Sequence, residues 1–194
     1  SKKTWIIKSC DLCNGSRLNE TASASVINRK NIGLYANLPL TQLISEMKDI
    51  NSPIAEPIIL RMMELIQGVI DVGIGYLSLN RSVETLSGGE AQRIKLAREL
   101  GSDLIELIYI LDEPTAGLHP KDVSNMIKTL KGLRDSQNTV IVVEHDPSVI
   151  MESDHIIEIG PRAGKFGGEL IFSGTPQEIL KNSTSITGKY LSKG

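Results

Sequence analysis

The sequence predicts an α/β fold, half of a parallel-sheet core joined to an α-rich piece, and three observations carry that reading. Two continuous apolar segments, Leu107-Ile-Tyr-Ile-Leu111 and Thr139-Val-Ile-Val-Val143, suit strands buried on both faces. Between them, Val123, Ile127, Leu130 and Leu133 recur at the helical period over about residues 120–134. Strand, helix, strand in that order is a βαβ unit, with parallel strands and a right-handed crossover. Upstream of residue 80 the periodicity is mainly helical, which marks an accessory piece.

The elements follow in chain order. Residues 1–20 are a polar lead containing Cys10 and Cys13. Residues 22–36 read as two short strands around the turn Asn28-Arg29-Lys30-Asn31. Pro39 opens a helix to about Lys48, with Leu40, Leu43, Ile44 and Met47 on one face. A longer helix begins near Pro57, and Ile58, Met62, Leu65, Ile66, Val69 and Ile70 follow its period. The glycine-punctuated segment 73–79 reads as a loop-rich exit. A further helix spans about Gly88 to Leu100 and stops at Gly101. Strands near residues 155–159 and 169–172 flank a Gly-rich turn, and a short helix starts at Pro176. Three segments result: a zinc-knuckle-like lead and hairpin (1–36), a helical subdomain (37–104) and the C-terminal half of an α/β core (105–194).

Composition narrows the function classes. At roughly 150 residues per domain, 194 residues make about 1.3 domains. The chain has 21 basic and 23 acidic residues and a net charge of −2, which excludes a histone-like polycation. One Trp, four Tyr and two Phe are too few for a base-stacking surface. No apolar run approaches the ~18 residues of a membrane span, and the first residues lack the apolar core of a signal peptide. Two cysteines do not make a disulfide framework, so the cytoplasm is the expected compartment.

Leu86-Ser-Gly-Gly-Glu90 is the most informative pentapeptide. Ser87 followed three residues later by Glu90 is a capping box, which makes Ser87 the N-cap. Two glycines in a first turn, Gly88 and Gly89, each cost about 1 kcal/mol against alanine. Either they are incidental, or a phosphate approaches the bare N–H groups at the positive end of the helix.

A second constellation lies at the strand ends. Asp112 and Glu113 directly follow the first apolar strand, where open α/β sheets bind ligands. Neighbouring residues leaving a strand point in different directions, so one carboxylate can hold Mg²⁺ while the other faces a water. The second strand runs into Glu144, His145 and Asp146, and parallel pairing puts His145 on the same edge. His119 belongs either to that edge or to an intermolecular contact, and His155 reads as structural. Cys10 and Cys13 form half of a four-ligand zinc site; either the other pair lies outside this chain or both are reduced thiols. The phosphate loop Gly-x4-Gly-Lys-Ser/Thr is absent: Gly164-Lys165 precedes Phe166, and Gly188-Lys189 precedes Tyr190. By this reading the chain cannot cradle a triphosphate alone.

In order, Leu86-Ser-Gly-Gly-Glu90-Ala-Gln-Arg93, Ile110-Leu-Asp-Glu-Pro114-Thr and Val143-Glu-His145-Asp resemble the signature loop, Walker B motif and switch histidine of ABC-type ATPases. Cys10-x-x-Cys13-x-Gly-Ser-Arg-Leu18, Val72-Gly-x-Gly-Tyr-Leu-x-Leu79, Gly117-Leu-His119 and Ile159-Gly-Pro161-x-Ala-Gly164 narrow the resemblance to the UvrA family, the ATPases of the ABC excinuclease. The resemblance implies a partial ABC ATPase fold, the C-terminal half of a first cassette with its α-rich signature subdomain. It implies ATP with Mg²⁺ as cofactor, Glu113 as general base, Asp112 on the metal and His145 on the γ-phosphate. Ser87, Gly88, Gly89 and Glu90 would close over ATP held by a second cassette. Implied partners are duplex DNA in nucleotide excision repair and a UvrB-like helicase, with no membrane; zinc is implied in the intact protein. The alternatives are a UvrA-like ATPase for antibiotic self-resistance, to which the short segment 49–57 points, the ATPase component of an ABC transporter, and a zinc-supported docking module over residues 1–80.

Overall fold

The computed structural model describes residues 10, 11, 13, 15–100, 105–161, 164 and 167–192. The helix stop expected at Gly101 and the pair Lys165-Phe166 lie outside the described residues. The chain divides into two compact units, residues 1–102 and 103–194.

The first unit is helical. Where two strands were expected over residues 22–36, it forms α1 (Glu20–Ser23) and α2 (Ile32–Asn37). Each helix has an asparagine N-cap. Asn19 Oδ1 accepts from Ala22 N (2.8 Å), and Asn31 Oδ1 accepts from Leu34 N (2.9 Å). The turn itself is present: Ile27 and Lys30 exchange backbone hydrogen bonds across Asn28 and Arg29, both at positive φ. The caps capture the flanking residues into helices before a ladder can extend.

Pro39 is the N-cap of α3 (Leu40–Lys48), which buries Leu40, Leu43 and Met47 with Ile44 packed against them. In α4 (Glu56–Val69) the inward stripe matches the expected one at Ile66, Val69 and Ile70 and departs from it earlier in the helix. Ile66 is buried and Ile59, Met63, Val69 and Ile70 pack on the core, whereas Ile58, Met62 and Leu65 are exposed. The helix is apolar nearly all round, so its period cannot choose between stripes one residue apart. The segment after it is no loose exit. It is a π turn, Ile70–Ile74, closed by Gly73 at φ 80° and packed around the fully buried Val72 and Ile74. The carbonyls of Leu77 and Gly75 accept from Leu40 N (2.9 Å) and Thr41 N (3.1 Å), satisfying orphan donors at the start of α3. Helix α5 (Gly88–Leu100) packs on α4 and on the π turn.

The second unit contains the expected βαβ core. Strands β1 (Ile108–Asp112) and β2 (Thr139–Val143) pair in parallel with Asp112 opposite Val143. Between them α6 (Pro120–Asp135) buries Val123, Met126, Leu130 and Leu133; Met126 is fully buried and Ile127 only partly so. The buried Asn138 closes the crossover: its Nδ2 donates to Leu133 O (2.9 Å), and its Oδ1 accepts from Leu107 N (3.0 Å). Burial of both strand faces is not found, since Ile108 and Ile110 are 66% and 71% exposed and Ile141 and Val143 are exposed beside them. Among the described residues this sheet has two strands, too few to be covered twice.

Helix α7 (Pro147–Met151) follows β2. Strands β3 (Ile156–Gly160) and β4 (Glu169–Gly174) then form an antiparallel pair. Helix α8 (Pro176–Ile179) starts with a Thr175–Glu178 capping box. The last helix, α9 (Ile186–Leu191), has no counterpart in the sequence reading. Ser185 Oγ caps it by accepting from Gly188 N (2.7 Å), and Glu158 Oε1 accepts from Thr187 N (2.9 Å). No helix among the described residues is long and apolar enough to cross a membrane.

Gly188 marks a close approach. A Cβ there would lie 2.2 Å from Ile179 O and 3.1 Å from Ile179 C, both backbone atoms. Overpacking costs about 1–3 kcal/mol, and a backbone obstacle places this site at the upper end. That outweighs the ~1 kcal/mol by which alanine favours a helix. Gly188→Ala therefore lowers the urea midpoint of the chain; an unchanged or raised midpoint would show that the contact is absent.

Candidate functional site

Helix α5 opens with the capping box expected from the sequence. Ser87 N donates to Glu90 Oε2 (2.7 Å), and Glu90 N donates to Ser87 Oγ (3.2 Å). Ser87 and Gly88 are exposed, Gly89 is half-buried and Glu90 is buried. A Cβ on Gly88 would meet nothing within 4 Å, so no intramolecular packing demands glycine there. On Gly89 a Cβ would come within 3.2 Å of the Arg93 guanidinium.

Two residues that the sequence reading missed complete this start. Tyr76 Oη donates to Glu90 Oε1 (2.6 Å), and the Arg81 guanidinium lies 3.8 Å from Glu90 Oε2. The Tyr76 hydrogen bond, followed by that from the Ser87 backbone, lowers the Glu90 carboxyl to a pKa of about 2. The Tyr76 phenol moves up in turn, first through burial and then through its bond to Glu90. The helix start thus carries a fixed carboxylate beneath open N–H groups, with an arginine beside it. The tyrosine of Gly73-Ile-Gly-Tyr76 was visible in the sequence, but nothing local says what its hydroxyl meets.

In the second unit the register of β1 and β2 sets a row of polar groups along one strand edge. Asp112 ends β1 and is exposed. Glu113 follows with φ 44°, a left-handed backbone that costs a non-glycine residue about 1–3 kcal/mol and persists only where surrounding structure enforces it. Its N–H donates to Val143 O (2.9 Å), one bond beyond the strand ladder. Its Oε1 lies 3.4 Å from His145 Nδ1, with both side chains largely exposed. The structure therefore brings together Glu113 and His145, which the sequence separates by more than a helix. Such a pair offers a proton acceptor beside a ring nitrogen, in reach of a water or a phosphate oxygen.

The glutamate between strand and histidine was not singled out by sequence reasoning. Glu144 accepts from Thr115 N (2.9 Å) and from the Thr115 hydroxyl on Oε1, and from His145 N (3.0 Å) and Asp146 N (3.3 Å) on Oε2. Burial pushes its carboxyl upward, but these hydrogen bonds outweigh burial and hold it below the ordinary range. A charged residue directly after an apolar strand was the available signal.

The other candidates separate cleanly. His119 is the N-cap of α6, its Nδ1 accepting from Lys121 N (3.3 Å). His155 Nε2 lies 2.9 Å from Ser173 Oγ, across the β3–β4 pair. Cys10 is exposed and Cys13 partly buried. Among the described residues no group of three or more His, Cys, Asp or Glu side chains is placed to hold a metal ion.

No family model matches the chain. Among curated proteins it is 47% identical over 192 residues to the UvrABC system protein A of Aquifex aeolicus (strain VF5), covering 95% of this chain and 21% of that protein. It is 44% identical over 200 residues to the UvrABC system protein A of Mycoplasmopsis pulmonis (strain UAB CTIP), covering 98% and 21%. Among solved structures, UvrA2 from Deinococcus radiodurans superimposes with a TM-score of 0.80 at 35% identity, over 95% of this chain and 25% of that one. The chain spans about a fifth of the length of the curated relatives it matches. Over almost its whole length the chain thus matches one segment of such proteins and shares the fold of that segment in UvrA2, and it belongs to the UvrABC system protein A family.

Proposed function

We propose that this chain supplies two parts of an ATP-hydrolysing machine that couples ATP binding and hydrolysis to recognition of damaged duplex DNA in nucleotide excision repair. The observation that supports this best is the Glu113–His145 pair, 3.4 Å apart at the carboxyl ends of neighbouring parallel strands. Glu113 orients the attacking water and takes its proton, while His145 hydrogen-bonds the γ-phosphate. The Asp112 carboxylate, a hard oxygen donor at the same strand end, would hold Mg²⁺. When bound, Mg²⁺ neutralises charge on the phosphates. Gly88 and Gly89 present N–H groups to ATP seated in a second cassette, with the exposed Ser87 beside them, and the open space over Gly88 fits that approach.

The sequence carries no Gly-x4-Gly-Lys-Ser/Thr loop, so the triphosphate cradle comes from elsewhere in the intact protein. Cys10 and Cys13 supply two of the four ligands that a structural zinc requires, so zinc fits here only with a second ligand pair from outside the described residues. Duplex DNA and a UvrB-like helicase are the partners in this reading, and the cytoplasm is its compartment.

ATP hydrolysis by the intact protein, with undamaged and lesion-bearing duplex DNA, tests the reading. Glu113→Gln is expected to lower the rate by roughly 10²–10⁴-fold, as loss of a general base does. DNA is expected to change the Glu113-dependent rate, and a lesion to change it further. A rate indifferent to DNA removes the repair assignment, and an undiminished Glu113→Gln rate removes the catalytic one. The chain by itself is expected to hydrolyse no ATP.

A pH measurement tests the helix start. Folding lowers the Glu90 pKa from its ordinary 4.5 to about 2, so its stabilisation is complete above about 4.5 and is lost as pH falls through 2. Carboxyl NMR titration of this chain should give Glu90 a midpoint near 2. A midpoint near 4.5 would mean that the Tyr76 and Ser87 bonds are not made in solution.

A further inference from the structure

We propose that Glu144 is a positioning residue for the hydrolytic site: by joining the loop after β1 to the loop after β2, it fixes the distance between Glu113 and His145. This rests on the reading of that pair as catalytic. Four donors from two separate loops converge on its carboxylate. Thr115 lies two residues beyond Glu113 and is buried, and it donates both its N–H and its hydroxyl to Oε1. His145 and Asp146 donate their N–H groups to Oε2. The Glu113 N–H to Val143 O bond carries the main-chain pairing of β1 and β2 past Asp112, and the Thr115–Glu144 bonds bridge the loops beyond it.

Both ends of this bridge are anchored. On one side Asp146 caps α7 by accepting from Ser148 N (2.8 Å). On the other, Ala116 N donates to Glu113 O (3.0 Å) and Leu118 N to Thr115 O (3.0 Å), which closes the turn that contains Glu113. Glu113 stands at φ 44° without being glycine, so its backbone must be imposed by neighbours. The Glu144 carboxylate is a neighbour that grips that turn and the main chain of His145 at once. A misplacement of about 1 Å at a reacting group costs about 10²-fold in rate, so this grip bears on turnover more than on substrate binding.

The test uses steady-state ATP hydrolysis by the full-length protein, with active sites counted by bound nucleotide and melting temperature recorded. Glu144→Gln keeps the shape but replaces one accepting oxygen with a donor, so the hydrogen bonds on that side fail. We expect kcat per site to fall at least tenfold with the KM for ATP within about twofold, and Glu144→Asp to recover part of the loss. Thr115→Ala should lower kcat several-fold, and Thr115→Ala combined with Glu144→Gln should be no worse than Glu144→Gln alone, because both remove one bridge. If Glu144→Gln does not fold, Thr115→Ala decides by the same kcat measurement. A kcat per site within twofold of the parent, with only the melting temperature lowered, overturns the proposal, as does multiplication of the two single losses. Glu113→Gln in parallel separates the two claims: its loss of activity alongside a normal Glu144→Gln rate leaves the catalytic reading standing and removes this one.

Discussion

The parallel, in-register pairing of β1 and β2 is the constraint on which the second unit depends. With Asp112 opposite Val143, the residues that leave each strand emerge at the same edge. Glu113 meets His145 there, and Glu144 meets Thr115. A slip of one residue would turn every side chain of one strand to the opposite face and separate both pairs. The register is in turn held at the far end by Asn138, which bonds the end of α6 to the residue preceding β1. A buried amide satisfied on both sides costs little and defines one alignment.

The first unit solves a different electrostatic problem. Glu90 sits in the first turn of α5, where the helix dipole favours a negative charge, and stays ionised although it is buried. Its charge is absorbed by Tyr76, the Ser87 N–H and Arg81, groups drawn from the capping box and the segment before it. The π turn makes this possible: Val72 and Ile74 bury the segment that ends in Tyr76, and Gly73 takes the left-handed backbone that the tight path requires. Packing and charge compensation here are the work of one short segment.

Three differences between sequence and structure have two causes, local capping for the first and available burial partners for the others. Residues 22–36 have strand-like composition, but asparagine caps at positions 19 and 31 commit the flanks to helices. Helix α4 has two apolar stripes one residue apart, and only the position of α3 and the π turn chooses between them. The strands β1 and β2 are apolar on both faces, while among the described residues one face stays open. Periodicity states what a segment is able to bury. It does not state what is present to bury it.

By itself the sequence determined the βαβ core, the helix starts at Pro39, Ser87 and Pro176, and the candidate groups Ser87, Gly88, Gly89, Glu90, Asp112, Glu113 and His145. These are legible because caps, glycine pairs and strand-end carboxylates act through bonds a few residues long, which a linear pattern records. Tertiary structure alone decided the 3.4 Å approach of Glu113 to His145, the inward stripe of α4, and the roles of Tyr76, Thr115 and Glu144. Those depend on groups far apart in the chain, such as Thr115 and Glu144, whose meeting is fixed by strand register and core packing. No local pattern encodes that meeting, because any carboxylate after a strand looks alike until the neighbouring loop is in place.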